Sequence, residues 1–222
     1  SALTAESREA KKVLVTDRDD TVWGGIVAEV GPHGIVYAPE GAGYPHYVYQ
    51  CIAARLRREG VLLAAVSRND PAVVNGPLTS GRMPLTSDDF IAVCASYEAK
   101  SAQIRALAQR LNLPFSAFVF VDDNPIECEE VHASLPSVTV LRFPDRNDAL
   151  PPFLESLAST FSQPVLTTED SDRTTLYRRR LEGMVPSTAI GSDLTRFLSE
   201  LEMELTIHDR STGEPTRAAP LI

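Results

Sequence analysis

Four short apolar runs rich in β-branched residues do most to limit how this chain can fold: Val13-Leu14-Val15, Val61 to Val66, Phe118 to Val121, and Val138 to Leu141. None alternates strictly between apolar and polar positions. Each therefore suits a strand buried on both faces, as in a parallel sheet covered by helices. Helical patterns lie between the runs. Val48, Cys51, Ile52 and Leu56 recur at helical spacing, with Arg55, Arg57, Arg58 and Glu59 on the other faces and Gly60 as a stop. Ile104, Leu107, Ala108 and Leu111 form a second stripe, with Ser101 placed to cap it. Strands that alternate with helices predict a doubly wound α/β sheet, whose ligands gather at the carboxyl ends of the strands.

With 222 residues, 43% of them hydrophobic and 23% charged, the chain can bury a sizeable core. The pattern divides into a core over residues 11–146 and a helical C-terminal extension over 147–222, which reads as cut from a longer protein. Within the core, the stretch Pro71 to Asp89 has three prolines and two glycines and no helical period. It reads as a long loop, a length usually tied to a site. In the extension, Pro151-Pro152 opens an apolar segment reaching Phe161, Thr167 to Arg180 reads as a polar helix, and Ser192 to Leu205 as another.

A net charge of −9 gives no general electrostatic reason to bind nucleic acid or an anionic membrane, so any phosphate site is local. No apolar run approaches the length of a membrane span, and Ser1 to Lys12 lack a signal-peptide core. The expectation is a soluble, cytoplasmic protein. Cys51, Cys94 and Cys128 show no CxxC spacing, which argues against zinc or a disulfide framework.

The first strand ends near Asp17, and Asp19 follows in Val15-Thr16-Asp17-Arg18-Asp19-Asp20-Thr21. Two carboxylates at the mouth of a sheet can divide labour, one attacking phosphorus and the other protonating the leaving oxygen. Taken alone the pair reads more readily as a solvated acidic turn. Ser67 ends the second strand, where a hydroxyl can hold a phosphoryl oxygen, and Lys100 stands just before a helix, able to neutralise phosphoryl group and nucleophile together. Asp122 and Asp123 close the third strand with carboxylates suited to Mg²⁺, a hard cation that prefers oxygen. Four polar sites at consecutive strand ends or helix starts are much harder to dismiss than any one of them.

That order resembles the haloacid dehalogenase (HAD) superfamily: DxDxT at Asp17, Asp19 and Thr21, then Ser67, Lys100, and the pair Asp122 and Asp123. The resemblance spans roughly Lys11 to Pro144. It implies an α/β, HAD-like (Rossmannoid) three-layer sandwich with a central parallel sheet and a small or absent cap. It also implies that Asp17 is the nucleophile that becomes a phosphoaspartate and Asp19 the general acid/base. Mg²⁺ would be held by Asp17, Asp122 and the Asp19 carbonyl, with Asp123 a neighbouring or alternative ligand. Thr21, Ser67, Arg68 and Asn69 fall to substrate binding. The stretches Thr21 to Gly25, Tyr44 to Gln50, Val66 to Pro71 and Phe118 to Pro125 look like the FkbH-like branch of that superfamily. Such a resemblance implies a glyceryltransferase/phosphatase of polyketide biosynthesis. That enzyme takes a glyceryl unit from 1,3-bisphosphoglycerate through a cysteine thioester, removes phosphate, and loads the unit onto an acyl carrier protein.

For the thiol, Cys51 falls on an apolar helical stripe, where cysteine is usually a small buried hydrophobe. Cys128 sits among Glu127, Glu129 and Glu130, which disfavour a thiolate. Cys94 follows the run Phe90 to Val93 and precedes Lys100 by six residues, so a turn can bring ammonium and thiol to one opening. A strand-end cysteine without a role fits the same residues, and the FkbH-like resemblance decides for Cys94. Two departures from the family pattern stand out: Asp20 occupies the usual asparagine position, and Ala95 to Ala99 lack the expected tryptophan and proline. His46 reads as an exposed loop residue, Trp23-Gly24-Gly25 as a turn, and Arg178-Arg179-Arg180 as a solvated helix face. Two other functions fit the residues: a plain HAD phosphatase acting on a small phosphorylated metabolite, and a catalytically silent docking domain.

Overall fold

The computed structural model describes residues 10–68, 77–79, 83–161, 177, 178 and 181. All of them lie within one compact unit. Its sheet contains β1 (Val13–Thr16), β2 (Leu62–Ser67), β3 (Phe90–Ala95), β4 (Phe118–Asp122) and β5 (Thr139–Arg142), in the order β3-β2-β1-β4-β5. Every neighbouring pair is parallel, with Val13 opposite both Leu62 and Phe118. The four apolar runs are four of these strands, and β3 is added at the edge.

Residues along the central strands alternate between two cores. Leu14, Leu63, Ala65, Val119 and Val121 face α2 (Tyr44–Arg58) and α5 (Leu150–Thr160). Val13, Val15, Leu62, Ala64, Val66, Phe118 and Phe120 face α3 (Lys100–Leu111) and α4 (Pro125–Ser134). The result is the α/β/α sandwich that strands buried on both faces require. α3 buries Ile104, Leu107, Ala108 and Leu111, the stripe read from sequence. Its N-cap is Ala99, however, and Ser101 sits inside the first turn, bonded to Glu130 on α4.

α2 departs in phase: its buried residues are Tyr49, Gln50, Ala53 and Leu56, while Cys51 is only half-buried. Pro45 sits in its first turn, and Arg55, Arg57 and Arg58 in its last turn complement the helix dipole. Gly60 then takes φ 88°, a conformation that favours glycine.

Between β1 and α2 the chain forms a flap around α1 (Val27–Val30), pinned where Gly24 and Val36 exchange backbone hydrogen bonds of 2.8 and 2.9 Å. No cap domain stands among the described residues. The stretch from Pro71 to Asp89 contains short 3₁₀ turns at Pro77–Thr79 and Ser87–Asp89; 69–76 and 80–82 lie outside the described residues. In the C-terminal part, Leu150, Phe153, Leu157 and Phe161 join the core. The expected helix at Ser192 to Leu205 lies outside the described residues, as do Arg179, Arg180 and most of Thr167 to Arg180. Arg178 is described, and its guanidinium donates to the carbonyls of Asp88 and Phe90 instead of facing solvent alone. No described helix is long and apolar enough to cross a membrane.

Candidate active site

Parallel strands deliver their following loops to one edge of the sheet, and the loops after β1, β2 and β4 meet there. A cavity of about 260 Å³ opens at that edge, lined by Asp17, Asp19, Asp20, Ser67, Lys100, Asp122, Asp123 and the rim residues Arg68 and Glu127, among others. Asp17 follows β1, and its N–H donates to Val121 O at 2.8 Å, so neighbouring β4 fixes its height. Lys100 Nζ, from the first turn of α3, donates to Asp17 Oδ1 at 2.8 Å and to Asp122 Oδ2 at 2.5 Å. Both contacts are buried.

Oxygens of Asp17, Asp122 and Asp123 lie within 4.8 Å of one another. Three converging carboxylates suit a hard divalent cation such as Mg²⁺. Burial raises Asp17 to about 7, with Asp122 and Asp123 adding to the rise against the pull of Lys100. Burial likewise raises Asp122 and Asp123. Burial also opposes the charge on Lys100, but Asp17 and Asp122 outweigh it and hold the ammonium up. A cluster so reluctant to ionise without further positive charge is the electrostatic counterpart of a cation site.

Asp19 turns its carboxylate toward the flap, accepting from Trp23 Nε1 at 2.9 Å and Val27 N at 3.2 Å. Trp23 is thereby a buried member of the turn that follows β1. Asp20 adopts φ 55° and accepts from Gly25 N at 2.6 Å, closing the turn on itself. Thr21 does not reach the cavity: it has no exposed surface, and its hydroxyl exchanges hydrogen bonds of 3.2 Å with Asp123 Oδ1 and Asp123 N. It orients an acid of the cluster, where sequence placed it against substrate. Ser67 is in the lining, and Arg68 stands at the rim paired with Glu127 at 2.9 Å. Asn69 lies outside the described residues.

Cys94 is not part of this lining. It sits within β3 opposite Val66, packs against the α3 side of the core, and lines a separate cavity of about 310 Å³ with Arg110 and Arg178. The shared opening with Lys100 does not form, because Lys100 is committed to Asp17 and Asp122; the cation acting on Cys94 is Arg110. Burial raises the Cys94 thiol, and Arg110 offsets only part of that. Cys128 is pushed up to about 12 by burial and by Asp122, whose carbonyl it approaches at 3.4 Å.

Sequence reasoning missed two supports of the site. His46, read as an exposed loop residue, is half-buried on α2, stacked on Phe143 and 2.9 Å from Thr21 O. Arg18, between the two aspartates, is buried with its guanidinium 6.0 Å from the Trp23 ring centroid. Burial lowers it to about 10 even though Asp17 and Asp19 favour its charge.

A carboxylate pair after β1, a hydroxyl ending β2, a lysine opening the helix after β3 and acids closing β4 line one cavity on a HAD-like α/β fold. Among solved structures, the chain is similar to the N-terminal part of protein BF1531 from Bacteroides fragilis, which contains a phosphatase domain complexed with Mg. Identity is 33% and the TM-score 0.61, covering 69% of this chain and 40% of that one. The chain thus spans well under half of that relative. A HAD-family enzyme from Bacteroides thetaiotaomicron, bt-2542, solved as a mutant with magnesium and inorganic phosphate, is similar at 11% identity and TM-score 0.45, covering 64% of this chain and 99% of that one. No family model and no curated protein matches the chain.

Proposed function

We propose that the chain is a Mg²⁺-dependent phosphohydrolase acting on a phosphate ester. The observation that carries this reading is the convergence of Asp17, Asp122 and Asp123 around the Lys100 ammonium, in one cavity with Asp19 and Ser67. The likeness to a phosphatase domain complexed with Mg supports it.

Asp17, Asp122 and Asp123 would hold the ion, which supplies positive charge to the phosphoryl oxygens. A carboxylate oxygen of Asp17 attacks phosphorus, and the ester P–O bond breaks with its electron pair leaving on the ester oxygen. Asp19 gives that oxygen a proton. Asp19 then takes a proton from water as it attacks phosphorus, and the phosphorus–Asp17 bond breaks to release inorganic phosphate. Lys100 favours the ionised form of Asp17 against the effect of burial, and Ser67 holds a phosphoryl oxygen. Phosphate release from p-nitrophenyl phosphate and small phosphate esters tests the reading. The protein with Mg²⁺ releases phosphate, and EDTA or Asp17→Asn abolishes it; release that survives Asp17→Asn removes Asp17 as nucleophile.

A finer reading rests on the FkbH-like resemblance: a glyceryl unit from 1,3-bisphosphoglycerate is carried as a thioester and passed to an acyl carrier protein. In its favour, Cys94 is half-exposed in its own cavity beside Arg110. Incubating the protein and a carrier protein with 1,3-bisphosphoglycerate and Mg²⁺ gives a glyceryl mass on both if this holds. Phosphate release without either adduct leaves hydrolysis alone.

A further inference from the structure

One face of α2 grips the turn that carries both aspartates. His46, Tyr49 and Gln50 stand at i, i+3 and i+4, hence on one side of the helix. All three reach the same short stretch of chain. His46 Nδ1 donates to Thr21 O at 2.9 Å, since a carbonyl can only accept. Tyr49 O–H donates to Thr16 Oγ1 at 2.9 Å, and that hydroxyl donates to Asp17 O at 2.7 Å. Gln50 Nε2 donates to Val22 O at 2.7 Å. The three attachments bracket Asp17 and Asp19 on both sides in sequence.

This face is itself held. His46 stacks on Phe143 with ring centroids 5.3 Å apart, and Tyr49 meets the edge of the same ring at 5.4 Å. Gln50 Oε1 also accepts from Leu85 N at 3.4 Å, tying the grip to the stretch before β3. A helix packed on a sheet ordinarily buries an apolar stripe, and burying a polar group costs free energy that its hydrogen bond only just offsets. Here Tyr49 and Gln50 are fully buried, and each sends a donor to the catalytic turn. The turn needs such support, because Asp20 holds φ 55° without being glycine.

We propose that His46, Tyr49 and Gln50 are positioning residues that hold the turn Thr16 to Val22 in the shape that aims Asp17 and Asp19 into one cavity. The inference rests on the phosphohydrolase reading for its kinetic readout. Reacting groups tolerate little displacement, and a shift of about 1 Å can cost about a hundredfold in rate.

The test uses the whole chain with Mg²⁺ and three variants: Tyr49→Phe, which deletes one hydroxyl without changing shape; His46→Ala; and His46→Asn, whose amide donor replaces Nδ1–H. Tyr49→Phe and His46→Ala each lower kcat by about tenfold or more with KM within about twofold, and His46→Asn recovers most of the loss. Unchanged kcat in folded Tyr49→Phe and His46→Ala overturns the proposal, as does a loss that His46→Asn fails to recover. If the unaltered protein hydrolyses no ester, the phosphohydrolase reading fails separately. Mn²⁺ titration then decides: severalfold weaker binding in Tyr49→Phe and His46→Ala, restored in His46→Asn, supports positioning, and equal binding in all four proteins overturns it.

Discussion

Thr21 and Asp123, 102 residues apart in sequence, hold each other through two hydrogen bonds of 3.2 Å, the hydroxyl donating to Oδ1 and accepting from the Asp123 N–H. The turn after β1 is thereby locked to the end of β4, and Asp123 is aimed at Asp17 and Asp122. Groups that orient a metal ligand typically contribute about ten- to a hundredfold in metal affinity. Thr21→Val keeps the shape and removes both bonds. Mg²⁺ or Mn²⁺ binding should weaken by about tenfold, measured by titration, while the circular dichroism spectrum stays unchanged. Undiminished affinity would show that Asp123 needs no such support.

A second prediction concerns Lys100. Its ammonium is the positive charge shared by Asp17 and Asp122 inside the cavity, and all three groups are buried. Removing one partner of a buried ion pair strands the others and typically costs about 3–5 kcal/mol. Lys100→Met should destabilise the metal-free protein by several kcal/mol in urea unfolding and abolish phosphate release. Added Mg²⁺ should restore part of the stability, because the cation takes over the neutralisation, and should not restore turnover. Equal stability with and without Mg²⁺ would separate Lys100 from the cation site.

The pH dependence follows from Asp17, raised by burial from 3.8 to about 7. The unfolded chain releases this proton near pH 4 and the metal-free folded protein near 7, so between those values the folded state binds more protons. Stability of the metal-free protein should therefore fall as pH rises from about 4 to about 7, through this group. Mg²⁺ competes with that proton, so its affinity should fall as pH drops below about 7. Thermal unfolding with EDTA at pH 5 and pH 7, compared with Asp17→Asn, checks the first. Mg²⁺ titration across the same range checks the second. A metal-free protein whose stability rises toward pH 7 relative to Asp17→Asn would contradict the assignment.

How much of this was legible in the sequence depended on the distance between partners. Asp17, Asp19, Ser67, Lys100, Asp122 and Asp123 sit directly at strand ends or helix starts, so a local pattern of apolar runs places them on one edge of the sheet. Thr21 and His46 owe their roles to partners 102 and 25 residues away, and no local pattern carries that information. β3 was harder to read than its neighbours because it is an edge strand, half-exposed over its last four residues and containing two alanines. The α2 stripe was misphased because Tyr49 and Gln50 are polar and yet fully buried, which a hydrophobic period counts as surface. Closeness in sequence to Lys100 and the FkbH-like resemblance together point to Cys94, but β3 and α3 carry the two side chains to different cavities.

That separation makes Cys94 the residue that divides the two readings of function. On the phosphohydrolase reading the reacting groups lie around Asp17, and Cys94 lines a different cavity with Arg110. With its thiol raised by burial, Cys94 is a weak nucleophile at neutral pH, and alkylation by iodoacetamide should be slow and speed up with rising pH. Cys94→Ala should keep kcat for phosphate release from p-nitrophenyl phosphate within about twofold, since Cys94 is not among the residues that line the Asp17 cavity. If the chain also transfers a glyceryl unit through this thiol, the same variant should lose the glyceryl mass on both enzyme and carrier protein while phosphate release continues. An acyl adduct that persists in Cys94→Ala would move the thioester to another residue, and Cys128, pushed up to about 12, is the poorer candidate for it. Loss of phosphate release in Cys94→Ala would instead mean that the two cavities act on one another through β2, which lies between β3 and β1 in the sheet.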